Sequence, residues 1–103
     1  MTPAYILSRG AAEDLREITR YTHRERGTEQ CRAYLQQIEN AATELALGEG
    51  VFRTRDDLYP GVRVRRAGHH YIFCLPRPDE PALILAILHE RMDLIARLSE
   101  RLA

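Results

Sequence analysis

The sequence lacks lysine and tryptophan altogether and has only two cysteines in 103 residues. All 15 basic residues are therefore arginine, and 15 acidic residues balance them, so the formal net charge is zero. A neutral chain has no global field of the kind that drives non-specific binding to nucleic acid. Cys31 and Cys74 lie within apolar patterns and have no Cys-x-x-Cys spacing. We therefore expect buried free thiols, with no disulfide framework and no metal site.

Long hydrophobic runs are also missing. The longest, 82–88, is far shorter than the roughly 20 apolar residues that cross a bilayer. No charged-then-apolar leader opens the chain. A chain of this length buries about two-thirds of the surface that its unfolded form exposes, which is enough for one core. The expectation is a single cytoplasmic domain over residues 1–103, with no membrane partner and no cofactor.

The run 82–88 is nevertheless the element around which the chain is organised. Its apolar residues do not alternate with polar ones, and this predicts a central strand that is buried on both faces. The strand stops at His89, where His89, Glu90, Arg91 and Asp93 surround Met92. A rigid strand that ends in ionisable groups positions them well, so this end is the first candidate for function.

The N-terminal half predicts a strand and two helices. Residues 4–7 form the strand, and Ser8 is a suitable N-cap for a helix from about residue 9 to 26. Gly27 and Thr28 supply a stop and a second cap. A second amphipathic helix follows from about residue 29 to 47 and ends at Gly48. Two helices joined by so short a turn form an antiparallel hairpin whose apolar stripes face one sheet.

The C-terminal half predicts a meander. A polar connector, 48–60, is expected to be mobile. Strands are expected at 62–66 and 69–75, and the proline-rich segment 76–81 is expected to lack regular structure before the central strand. The segment 92–103 predicts a short amphipathic helix. The fold class is therefore α+β: an N-terminal strand, an antiparallel helical hairpin, a three-stranded antiparallel meander and a short C-terminal helix.

Arginines dominate the first meander strand. Alternation places Arg63 and Arg65 on one face, away from Val62 and Val64, and we expect that face to point off the core. Three interpretations stay open: a solvated outer face, a docking site for carboxylates of an acidic partner segment, or a clamp for RNA phosphates with a nearby histidine as acid or base.

The histidines do not form a metal-binding pattern. His69 and His70 are adjacent and point to opposite faces of a strand, and His89 lies far along the chain without matching spacing. His89 is either a general base or a hydrogen-bonded structural residue. The terminal helix is too short to stand alone. It docks on its own sheet or forms a target-facing arm, and the polar cluster before it favours the arm.

Several motifs, in order, resemble the ParE-type toxins of the RelE/ParE superfamily. They are 5–8 (YILS), 12–15 (AEDL), Tyr21, Gly27, Tyr34, Ile38, 61–63 (GVR), 70–73 (HYIF), 87–89 (ILH), 92–93 (MD) and 97–98 (RL). The match is collinear over nearly the whole chain. In this family a Trp often precedes the position of Gly27, where this chain has Arg26.

The resemblance implies the toxin of a type II toxin–antitoxin pair that inhibits DNA gyrase without catalysis. It further implies neutralisation by a ParD-like antitoxin, with promoter DNA bound only indirectly through that antitoxin. Two alternatives stay open: a ribosome-dependent mRNA endonuclease of the RelE type that uses Arg63, Arg65 and His89, and a non-toxic interaction module that has lost its target. The endonuclease branch typically uses basic residues on the sheet and often a tyrosine after the terminal-strand histidine, whereas Glu90 follows His89 here. The departure favours the gyrase-directed branch.

Two sets of site residues accompany this interpretation. The expected antitoxin contacts are Arg63, Arg65, Arg66 and Tyr59. The expected target contacts are His89, Arg91, Met92, Asp93 and Arg97. No catalytic residue is assigned.

Overall fold

The computed structural model describes residues 2–103, which form five strands and two helical elements. The elements are β1 (Tyr5–Leu7), α1 (Arg9–Leu47), β2 (Arg53–Thr54), β3 (Arg63–Ala67), β4 (His70–Arg77), β5 (Glu80–His89) and α2 (Leu94–Leu102). The strands make one sheet in the order β1-β5-β4-β3-β2. β1 runs parallel to β5, and every other neighbouring pair is antiparallel. No helix within residues 2–103 is both long enough and apolar enough to cross a membrane.

The predicted helical hairpin is present within α1. Gly27 has φ 85° and ψ 175°, a non-helical conformation that suits glycine and divides α1 into two arms. A straight helix of 39 residues would be about 58 Å long, but the largest extent of the molecule is 38 Å. The arms therefore fold back on each other, and the Cys31 Sγ–H donates to the carbonyl of Thr19 at 3.5 Å. Ser8 caps the first arm and Gly48 ends the second, as predicted.

The sheet has a hydrophobic core on each face. On the face covered by α1, Ile38, Leu45, Ile72 and Ile84 are almost fully buried. On the other face, Phe73, Leu88 and Leu98 are equally buried. β5 contributes to both cores, which confirms the prediction of a central strand buried on both sides. Cys31 and Cys74 are free and buried, and burial raises the pKa of the Cys74 thiol to about 11.

The terminal helix α2 is docked, and the expectation of a free target-facing arm is wrong. Leu98 is only 1% exposed and packs in the second core. The polar cluster after His89 does not interrupt packing because Asp93 uses its Oδ1 atom to accept the Ala96 N–H at 3.2 Å, which caps α2 and redirects the chain back onto the sheet.

Two other local expectations are wrong. The connector 48–60 contains a strand, β2, that pairs with β3 and adds a fourth antiparallel member to the meander. The proline-rich segment is largely regular, because β4 runs through Pro76 to Arg77 and β5 begins at Glu80. Asp79, with φ 59°, makes the tight turn between them. Proline fits there because these residues lie at the far end of a hairpin, where few ladder bonds are needed.

Candidate functional site

Of the three predicted antitoxin-binding arginines of β3, Arg63 and Arg65 point toward α1, so the expectation that these two point off the core is wrong. Arg63 uses one guanidinium nitrogen, Nη1, to donate to the carbonyls of Leu45 (3.0 Å) and Ala46 (3.3 Å), which lie in the last turn of α1. Arg65 forms an ion pair with Glu44. The carbonyls at a helix C-terminus lack intrahelical partners and carry partial negative charge. These two side chains therefore fasten the sheet to the end of α1.

A groove lies on the opposite face of the sheet, between α2 and the 48–61 loop, and we call it the α2-face groove. Its volume is about 680 Å³. Its floor is apolar and its rim carries arginines and one carboxylate. The lining residues are Val51, Phe52, Arg53, Arg55, Leu58, Val64, Arg65, Arg66, Tyr71, Phe73, Met92, Asp93, Leu94 and Ile95.

The rim of this groove combines exposed apolar side chains with positive charge. Val51 is 87% exposed and Ile95 is 60% exposed. Arg53 forms no ion pair with any residue among 2–103, while Arg66 lies over the ring of Tyr71 and pairs with Glu90. An exposed apolar surface with a basic rim is typical of a docking site for an amphipathic acidic segment.

Of the predicted antitoxin contacts, Arg66 lines the groove directly and Arg65 belongs to its lining while its guanidinium pairs with Glu44. Tyr59 is 43% exposed on the adjoining loop, outside the lining. The sequence reasoning missed Arg53 and Arg55. Their position between the two apolar pairs 51–52 and 58–59 was the available signal.

The predicted target contacts lie together at the corner between β5 and α2. Arg91, Met92, Asp93 and Arg97 are exposed there. The Arg91 N–H donates to Nδ1 of His89 at 3.1 Å, which gives His89 a structural role at the strand end. Met92 and Asp93 also line the α2-face groove, so the corner and the groove share a boundary.

Three histidines meet beside that corner. The rings of His70 and His89 are 5.1 Å apart, edge to face, and those of His69 and His89 are 6.2 Å apart and stacked. His69 Nδ1 lies 2.8 Å from Glu90, and His70 Nδ1 is hydrogen-bonded to the Tyr34 hydroxyl at 2.6 Å. That hydroxyl also accepts the N–H of His69, so the cluster joins the second arm of α1 to the β3–β4 turn.

Burial lowers the pKa of His70 from 6.5 to about 4, with further lowering from His89 and His69. Between those two values the unfolded chain binds a proton that the folded chain does not, so stability falls as the pH falls through this window. Because part of the group is solvated, we expect a loss of about 1 kcal/mol between pH 7 and pH 5. Urea unfolding at both pH values measures this loss of stability. His70→Gln should make the free energy of unfolding less dependent on pH, whereas His23→Gln, on the exposed surface of α1, should not. An unchanged pH dependence in His70→Gln would contradict this assignment.

The chain is similar to known proteins in both sequence and fold. Residues 5–94 match the family model described as ParE toxin of type II toxin–antitoxin system, parDE. The chain is 54% identical to "Toxin ParE" of Escherichia coli over 99 residues, which cover 96% of each chain. It is 31% identical to "Toxin ParE1" of Mycobacterium tuberculosis H37Rv over 93 residues, which cover 90% of this chain and 95% of the relative. The fold matches a chain of the structure "Chromosomal ParDE TA system from P. aeruginosa" with a TM-score of 0.67 and 23% identity, over 85% of this chain and 96% of that one.

Proposed function

Since the chain belongs to the ParE toxin family of type II toxin–antitoxin systems, we propose that it inhibits DNA gyrase by binding and that a ParD-like antitoxin neutralises it. The toxin role itself follows from the family match over most of the chain. The ParD-like partner is supported by the ParDE system named for the structural relative. Gyrase is supported by the resemblance to the gyrase-directed branch of the superfamily.

A non-catalytic mechanism is supported by what the candidate nuclease residues do. A phosphodiester clamp needs free basic groups and a histidine available for proton transfer. Arg63 and Arg65 instead hold the C-terminus of α1. His89 accepts a backbone hydrogen bond through Nδ1. Through these contacts the three residues support the fold, and their side chains do not assemble around one reacting atom.

The antitoxin site that we propose is the α2-face groove, and the observation that carries it is the pairing of exposed apolar residues with Arg53 and Arg66. An antitoxin tail that folds on binding would lay its apolar side on the floor and its carboxylates on the rim. Phe52, Leu58 and Tyr71 are only partly buried in the isolated chain, so a partner would complete their burial.

The gyrase contact that we propose is the β5–α2 corner, with Arg91, Met92 and Arg97 as its exposed members. Asp93 contributes mainly by capping α2. Because Met92 also borders the groove, an antitoxin seated in the groove covers part of the corner. Neutralisation is then steric occlusion of the target surface, and it needs no change in the fold of the toxin.

The test separates gyrase from the ribosome. Purified chain added to gyrase and supercoiled plasmid should cause linear DNA to accumulate after detergent and protease treatment, because trapped cleavage complexes release broken DNA. The same chain should leave mRNA intact in a translation extract. Ribosome-dependent cuts that disappear in His89→Ala, without linear DNA, would establish the endonuclease alternative instead.

A further inference from the structure

The outer edge of β1 has no strand partner among residues 2–103, because β1 ends the sheet and pairs only with β5. The Ala4 carbonyl accepts from Ala82 N–H, and Ser8 N–H donates to the Ile84 carbonyl, both at 3.0 Å. Groups alternate along a parallel ladder, so the N–H and C=O groups of Tyr5 and Leu7 point away from the sheet. An edge of this kind is a template for another extended chain.

A recess of about 480 Å³ lies directly beside this edge, between Leu7 and the first arm of α1. Leu15 gives it an apolar wall, and Arg16 and Arg20 stand at its side. Both arginines are exposed, and neither forms an ion pair with any residue among 2–103. No carboxylate lines the recess itself, whereas the pKa of the nearby Tyr5 hydroxyl is raised by burial and also by the negative charge of Glu39.

We propose that this edge binds an extended acidic segment of a partner protein, which adds to β1 as a sixth strand. Main-chain hydrogen bonds to Tyr5 and Leu7 would hold it. Alternate side chains would face the recess, where carboxylates meet Arg16 and Arg20, and the intervening ones would pack on Ile6, which is 43% exposed. A second copy of this chain is a poorer occupant, because symmetric pairing would bring the arginines of both copies to the same place.

This site is separate from the α2-face groove. The sheet order places β1 and β2 at opposite ends, with three strands between them. Strands lie about 4.8 Å apart, so the two edges are roughly 19 Å apart. The two proposals therefore concern different surfaces, and failure of one leaves the other intact.

The test uses the purified full chain and a fluorescent hexapeptide in which aspartate alternates with valine. The peptide should bind and should perturb backbone amide NMR signals of residues 4–8. A control peptide, N-methylated at alternate residues, keeps its charge but loses strand pairing, and it should bind at least about tenfold more weakly. Arg16→Glu with Arg20→Glu should likewise reduce affinity by roughly tenfold or more.

A matched double variant separates local from overall charge. Arg24→Glu with Arg32→Glu makes the same change in charge elsewhere on α1, and it should leave the affinity within about twofold of wild type. Three results would each overturn the proposal: equal affinity for the two peptides, an equal loss of affinity in the two double variants, or perturbed NMR signals that belong to residues outside 4–8. Circular dichroism checks that all variants fold.

Discussion

Replacing Asp14 with alanine is expected to lower the free energy of unfolding by about 2–4 kcal/mol, because a partly buried charge pair loses one partner. Asp14 is the acceptor for both terminal nitrogens of Arg101, at 2.6 and 2.9 Å. It also accepts the N–H of Ile87 at 2.9 Å. Its side chain is only 15% exposed and that of Arg101 is 29% exposed. Without the carboxylate, a guanidinium and a strand N–H lose their partner together.

The position of Asp14 and Arg101 beside β5 explains why we expect so large a loss of stability. β1 ends at Leu7, opposite Ile84, and β5 continues to His89 without a strand on that side. Side chains take the place of the missing strand. Ser8 Oγ and Arg101 each donate to the Leu85 carbonyl at 3.1 Å, and Asp14 accepts the N–H of Ile87. One carboxylate therefore ties α1, β5 and α2 together.

Urea unfolding followed by circular dichroism at pH 7 measures this effect. Glu17→Ala, an exposed carboxylate on the same arm of α1, is the control and should change the stability by less than about 0.5 kcal/mol. The double variant Asp14→Ala with Arg101→Ala should be less destabilised than the sum of the two single variants. Strict additivity, or a loss no larger than that of Glu17→Ala, would show that the ion pair contributes little.

Reversing two charges on the rim of the α2-face groove is expected to weaken antitoxin binding by about 100-fold, or ~2.7 kcal/mol. The variant is Arg53→Glu with Arg66→Glu, which turns attraction for an acidic tail into repulsion at both positions. The Arg66 side chain is 53% exposed and Arg53 is also exposed, so the fold should survive. Calorimetric titration with a ParD-like antitoxin at low and high salt measures the change.

The control for the rim variant is Arg24→Glu with Arg32→Glu, which has the same net charge. It should retain wild-type affinity, since these residues lie on the exposed surface of α1. Arg63 and Arg65 are unsuitable for this test, because their replacement would also release the C-terminus of α1. If rim and control variants bind equally well, the antitoxin tail lies outside the groove.

Local signals in the sequence predicted most of the elements. Gly27 predicted the break in α1, Ser8 and Gly48 predicted its ends, and the apolar run before His89 predicted the central strand. Each of these features depends on residues within a few positions of one another. β2 was missed because two exposed residues, Arg53 and Thr54, carry no apolar periodicity and form a strand only through pairing with β3.

Non-local geometry explains the remaining differences. Alternation shows that Arg63 and Arg65 share a face, but it does not show which face α1 covers, because both faces of the sheet are packed. The pair between Asp14 and Arg101 joins residues from opposite ends of the chain, and no spacing rule connects them. The docking of α2 depends on that pair and on Leu98, so the local pattern of residues 92–103 does not predict it.

The parallel pairing of β1 with β5 also limits the order in which the chain can fold during synthesis. Tyr5 pairs with Ala82, which is translated much later. Local contacts allow the two arms of α1 to form early, whereas the sheet cannot close until β5 has been translated. α2 and the corner after His89 follow later still. Both the proposed gyrase surface and the proposed antitoxin groove therefore remain incomplete until the residues after His89 have been translated.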